Sequence, residues 1–167
     1  MTDPREAQPG TPADFTGLTW GIKSSFVAYV ARTPDGKAYL SRGAGVNERN
    51  EILFPHKENE ATDANGTVFA FGGLVQFDAH FGMMSVRISE PRVTVIDGKG
   101  ELTVPNPDSA GGEYMRLVTF DLAGPVADDG RERWDATDVR LAPEGVELFG
   151  ETYQAGEPFE TFSFTVA

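Results

Sequence analysis

The sequence contains no cysteine. Disulfides, thiolate metal sites, iron–sulfur clusters and thiol nucleophiles are therefore excluded. No apolar run reaches the roughly 18 residues that mark a membrane-spanning helix, so no membrane insertion is expected. Cationic residues are few: 14 Lys and Arg stand against 26 Asp and Glu, a net charge of −12. That balance argues against nucleic acid or an anionic membrane as partner and is consistent with a soluble acidic surface. Met1 to Asp14 holds Pro4, Pro9, Pro12 and acidic residues, but neither the basic nor the apolar region of a signal peptide. The location expected for the chain as it stands is cytoplasmic, or secreted or at the cell surface if a leader was removed.

What is present is a globular composition. Of 167 residues, 40% are apolar and 11% aromatic, enough for one real core. Residues 1–14 read as a flexible tail without periodicity, and 15–167 as one domain.

The stretch from Leu18 to Arg32 is the one convincing helix. Ile22, Phe26, Tyr29 and Val30 share a helical face, which predicts a helix over 20–32 with Thr19 as N-cap and Pro34-Asp35-Gly36 as its stop. Short β segments follow. Lys37–Ser41 is a candidate first strand, and 42–66 reads as a long loop with one short strand at the apolar run Ile52-Leu53-Phe54. Thr67–His80 alternates as a strand, interrupted at Gly72-Gly73 by a bulge or a close backbone approach. Met83–Ile88 and Arg92–Ile96 follow, then Asp97-Gly98 as a hairpin signal into Glu101–Val104. Tyr114–Leu122, Trp134–Leu141, Val146–Phe149 and Phe159–Val166 complete the set. The expectation is a mainly β, single-domain antiparallel sandwich or open barrel with one early α-helix.

Constellations for catalysis are weak. Asp78 and His80 are two apart on a predicted strand, which suits a metal or acid–base pair but marks no third ligand. His56 lies in a polar stretch, no serine sits in a nucleophile elbow, and the glycines at 43, 45, 72 and 73 form no phosphate loop. Tyr29, His80 and Tyr153 stand out. Tyr29 and Ser25, one helical turn apart beside an aromatic stripe, suit a flat apolar ligand with polar ends, or simply a core tyrosine with a bonded hydroxyl. His80 suits a site or a half-buried strand end, and Tyr153 a site or an ordinary glycine-rich turn.

Three separated segments change that balance. They are Leu18-Thr-Trp-Gly-Ile-Lys-Ser-Ser-Phe-Val-Ala-Tyr29, Phe71-Gly-Gly-Leu-Val-Gln-Phe-Asp-Ala-His-Phe-Gly82 and Phe149-Gly-Glu-Thr-Tyr-Gln-Ala-Gly156. In order and spacing they resemble the HtaA domain, a haem-binding module of actinobacterial haem-uptake proteins. The resemblance implies a β-rich fold with an early helix and a ferric haem b held by a tyrosine. On the matching positions that ligand is Tyr29, with His80 hydrogen-bonded to it, Tyr153 lining the pocket and Ser25 reaching a propionate. Phe26, Phe81 and Met83 are the apolar neighbours expected to cover the ring. A free phenol has a pKa of about 10, so ferric iron and an imidazole at the oxygen are what favour its deprotonated form. The implied role is to capture, carry or relay haem, with other haem-carrier proteins as partners, and not catalysis. The competing expectation is a β-sandwich interaction or other-ligand module without useful haem affinity. A haem enzyme is disfavoured, because no distal acid–base pair can be marked beyond His80.

Overall fold

The structure is a computed structural model that describes residues 15–63, 66–107 and 109–166. The expected tail over 1–14 lies outside the described residues. The elements in chain order are β1 (Gly17–Trp20), α1 (Ser24–Arg32), β2 (Lys37–Ser41), β3 (Gly45–Val46), β4 (Ile52–Asp63), β5 (Gly66–Phe71) and β6 (Leu74–Ala79). They continue with β7 (Met84–Ser89), β8 (Arg92–Ile96), β9 (Lys99–Pro105), β10 (Tyr114–Asp128) and β11 (Arg131–Leu141). Two short 3-10 turns, Pro143–Gly145 and Glu147–Phe149, precede β12 (Phe162–Val166).

The expectation of a mainly antiparallel β fold with one early helix holds. A nine-stranded sheet runs β1-β12-β11-β10-β9-β8-β5-β4-β3, and β1 also pairs with β4, so the sheet closes into a barrel. Closure removes the open edges that a flat sheet would expose. A second sheet, in the order β2-β6-β7, lies beside it. The Asp97-Gly98 hairpin forms as expected, and Asp129-Gly130 makes a second; each places both central residues at positive φ, as a two-residue turn between twisted strands requires.

Alternation fills the barrel. Phe162, Phe164 and Val166 of β12 are buried while Ser163 and Thr165 face outward. Phe164 sits among Phe69 at 5.1 Å, Phe71 at 5.7 Å and the stacked ring of Trp134 at 6.1 Å. Burying each such side chain contributes roughly 1.5–3 kcal/mol.

Several local expectations are corrected. The helix starts at Ser24, because Leu18 and Trp20 are both fully buried with Thr19 between them, a period of two that belongs to β1. Thr19 is therefore a strand residue; Lys23 is the N-cap and makes no side-chain cap bond. The free N–H of Ser24 instead donates to the Glu160 carboxylate at 2.9 Å. The stretch 42–66 is not a loop: β3 and the long β4 occupy most of it, held by backbone pairing to β1 and β5 that hydrophobic alternation does not report. Thr67–His80 is two strands in different sheets. Gly72-Gly73 carries the chain between them, with Gly73 at φ +103° and an added Cβ only 3.0 Å from that of Ala44. Val146–Phe149 is apolar but coils into 3-10 geometry, so that Phe149 is buried against α1.

Candidate functional site

The roll of α1 is fixed by Phe26. Its ring meets Phe77 of β6 edge-on at 5.1 Å and 81°, and Phe149 at 5.2 Å and 88°. Val30, four residues on, is buried on the same face. Tyr29 precedes Val30 by one residue, about 100° around the helix, and is 41% exposed. The helix thus buries its phenylalanine and presents its tyrosine to a cleft. Its C-terminus closes where the N–H of Thr33 reaches the carbonyls of Tyr29 and Val30, and the Thr33 hydroxyl also donates to Tyr29 O at 2.8 Å.

His80 comes from the hairpin between β6 and β7. Ala79 pairs with Met84, leaving His80 to Met83 as the connection. His80, Phe81 and Gly82 have φ of 54°, 56° and 86°, a run of left-handed backbone that costs an L-residue roughly 1–2 kcal/mol each. The N–H groups of both His80 and Phe81 donate to the Asp35 carboxylate, the first at 3.2 Å. These bonds, that from Phe81 the strongest, hold the Asp35 carboxyl below its ordinary range. The hairpin aims the imidazole across at α1, where the Tyr29 hydroxyl and His80 Nε2 form a hydrogen bond, with ring centroids 5.7 Å apart.

Tyr153 forms the third corner. It follows the 3-10 turn over Glu147–Phe149 and meets Phe149 and Phe159 edge-on, each at 5.8 Å. The Lys23 ammonium lies 5.2 Å from its ring centroid. Its hydroxyl is hydrogen-bonded with Ser25; burial outweighs that bond and pushes the phenol up from its ordinary value.

Tyr29, His80, Ser25, Tyr153, Phe26 and Met83 all line one cleft of about 670 Å³, well within the range of small-molecule sites. Six of the seven residues picked out from sequence are thereby brought together. Phe81 is not: at 92% exposed it points away from the cleft wall, because the left-handed turn that aims His80 inward turns its neighbour outward. Asp78 is separated from His80 in role, its carboxylate accepting from Gln76 and from the Ser85 hydroxyl at 2.8 Å. Sequence reasoning missed Arg32, Leu148 and Phe149 as lining residues. Arg32 is signalled only by lying three residues after Tyr29 on the helix. Leu148 and Phe149 read as a strand, and Phe149 enters only as the start of the third matching segment, with no role of its own. Among the described residues there is no group of three or more His, Asp or Glu able to hold a metal ion, and no helix long and apolar enough to cross a membrane.

The arrangement offers a half-open slot with an aromatic floor, a phenol–imidazole pair on one wall, and hydroxyls and a guanidinium at its margins. The HtaA family model matches residues 16–165, and the chain belongs to the HtaA family. The fold agrees with solved structures from Corynebacterium glutamicum. The N-terminal domain of HtaA is 21% identical over 96% of this chain and 99% of its own, with a TM-score of 0.71. The C-terminal domain of HtaA is 21% identical over 90% and 94%, with a TM-score of 0.70. The haem-binding protein HtaB is 17% identical over 91% and 92%, with a TM-score of 0.65. No curated protein matches the chain.

Proposed function

We propose that this protein binds ferric haem b in the cleft, with the Tyr29 oxygen as iron ligand and His80 hydrogen-bonded to that oxygen, and that it carries or relays haem without transforming it. The observation that carries the reading is the Tyr29–His80 pair at the wall of an open, aromatic-floored cleft. Family membership and the likeness in fold to the haem-binding protein HtaB support it.

The residues present suit the group. Phe26, Phe149, Leu148 and Met83 provide apolar surface for a flat macrocycle, and Arg32 supplies the positive charge that carboxylate side arms need at the rim. Ser25 and Tyr153 add hydroxyls at the other margin. Ferric haem, when bound, supplies a Lewis-acidic iron that favours an anionic oxygen ligand over a neutral one. The chain's part is proton handling and orientation. In the free protein the Tyr29 hydroxyl and His80 Nε2 share one hydrogen bond. The same imidazole can take up the phenol proton on loading and return it to the oxygen on release. A ligand that can be reprotonated in place suits capture and hand-over.

Titration of the purified protein with haemin tests the reading. A saturable complex with a phenolate-to-iron charge-transfer band is expected, and Tyr29→Phe, which keeps the ring and removes only the oxygen, should abolish that band. Unchanged spectra and affinity in Tyr29→Phe would overturn the ligand assignment. Absence of any stoichiometric complex in the wild-type protein would favour an interaction or other-ligand module on this scaffold.

A further inference from the structure

The two halves of the Tyr29–His80 pair come from different elements, and one carboxylate ties those elements together. Asp35 lies in the turn that leaves α1. Its place there is set on both sides: Pro34 fixes its own φ, and an added Cβ at Gly36 would fall 1.9 Å from the Val30 carbonyl oxygen, so only glycine passes beneath the helix end. The Gly36 N–H donates to the Thr33 carbonyl at 2.9 Å, completing a rigid turn. From it the Asp35 side chain reaches the β6–β7 hairpin, 45 residues further along the chain.

At that hairpin the backbone bonds are accounted for. Gly82 N–H donates to Ala79 O at 3.2 Å and Met83 N–H to His80 O at 3.1 Å. The N–H groups of His80 and Phe81 are left over by this pattern, and each finds one oxygen of Asp35. Successive N–H groups on left-handed backbone form a small concave anion site. Here a side chain of the same molecule fills it.

We infer that Asp35 is a positioning residue of the cleft: by accepting the His80 and Phe81 N–H groups it holds the left-handed hairpin that aims the His80 imidazole at the Tyr29 hydroxyl. The inference rests on the proposed haem site for its consequence, because an imidazole held in register is what supports the Tyr29 oxygen. It assigns a function to a residue that is not among those lining the cleft. Asp35 acts wholly through His80, so its removal cannot cost the site more than removal of His80 itself. Partners one step from a metal ligand typically contribute about 10–100-fold in affinity, and that range is the ceiling for Asp35.

The test compares wild type, Asp35→Ala, Asp35→Asn, His80→Ala and the Asp35→Ala/His80→Ala double variant. Two readouts are taken. Without ligand, NMR follows the His80 Nε2 signal and the exchange of the His80 and Phe81 amides. With haemin bound, transfer to apomyoglobin gives the release rate. Asp35→Ala should deprotect both amides and shift the Nε2 signal away from its Tyr29-bonded position. It should speed release by no more than His80→Ala does, and the double variant should release no faster than His80→Ala alone. Asp35→Asn keeps one acceptor oxygen and should fall between wild type and Asp35→Ala; it also serves if Asp35→Ala does not fold. Additive losses in the double variant, or an unchanged Nε2 signal, would overturn the inference, since a merely stabilising residue gives the first and an idle one the second. If wild type takes up no haemin, the haem reading fails, and the ligand-free NMR still decides whether Asp35 positions His80.

Discussion

Truncating Phe26 tests how the helix is anchored beneath the cleft. The side chain is 3% exposed and wedged between Phe77 and Phe149, edge-on to both. Phe26→Ala removes a buried ring and leaves a cavity between α1, β6 and the 3-10 turn, a change that costs about 3–5 kcal/mol. Phe26→Leu retains most of the apolar volume but loses both aromatic pairs, each contributing about 0.5–1.5 kcal/mol, so about 1–3 kcal/mol in all. Against a total stability of about 5–15 kcal/mol, the alanine variant gives up roughly a fifth or more. Urea unfolding of the ligand-free protein should show midpoints falling from wild type to leucine to alanine with an unchanged slope. Tyr29 and Ser25 ride on the same helix, so haemin affinity should fall in the same order. The reasoning is refuted if Phe26→Ala stays within about 1 kcal/mol of wild type, the size of an average substitution. It is equally refuted if leucine costs as much as alanine, because then the cavity plays no part.

Further outcomes are expected. Tyr29→Ala should damage haem retention more than His80→Ala, which should leave a tyrosine-ligated ferric form; transfer to apomyoglobin ranks the two, and the reverse order would exchange their roles. Arg32→Ala should weaken haemin by about fivefold at most, the effect of roughly 1 kcal/mol at an exposed ion pair, and leave binding of haemin dimethyl ester unchanged; equal losses for both would exclude a carboxylate contact. Ultraviolet titration of the ligand-free protein should show Tyr153 ionising above an ordinary tyrosine, because burial raises it while the Ser25 bond holds it down. Ser25→Ala should move it higher still. Because the folded-state value is raised, the linked stability is intact below the unfolded value of about 10 and is lost as pH climbs through the folded one. A Tyr153 that titrates with its fellows, judged by Tyr153→Phe subtraction, contradicts the burial seen here.

The parts legible in sequence were those whose signal lies in the side chains themselves. The helical spacing of Phe26, Tyr29 and Val30, the alternation in β6 and β12, and the Asp97-Gly98 hairpin each state their geometry locally. His80 and Tyr153 became legible only as members of segments matching a family, since neither position has a local pattern of its own. β4 was hidden because its pairing is a backbone property and its sequence is polar. The Glu147–Phe149 turn was hidden for the opposite reason: a short apolar run satisfies a strand template as well as a 3-10 turn. Asp35 was unreadable in principle. Pro-Asp-Gly signals a turn in any chain, and the partners of this aspartate are backbone N–H groups, which every residue but proline possesses.

The closure of the barrel sets a timetable for the molecule. β1 is clasped between β4 and β12, with Thr19 opposite both Leu53 and Ser163, and the Trp20 indole N–H donates to the Glu160 carbonyl across 140 residues. Such pairings between distant parts of a chain form late, and β-rich topologies dominated by them fold in milliseconds to seconds. α1 follows β1 directly and is fastened to the same late segment through Ser24 and Glu160. The placement of Tyr29 beside the cleft therefore depends on a contact between segments 136 residues apart. Until these distant segments pair the cleft is incomplete, so its assembly is tied to the closure of the barrel.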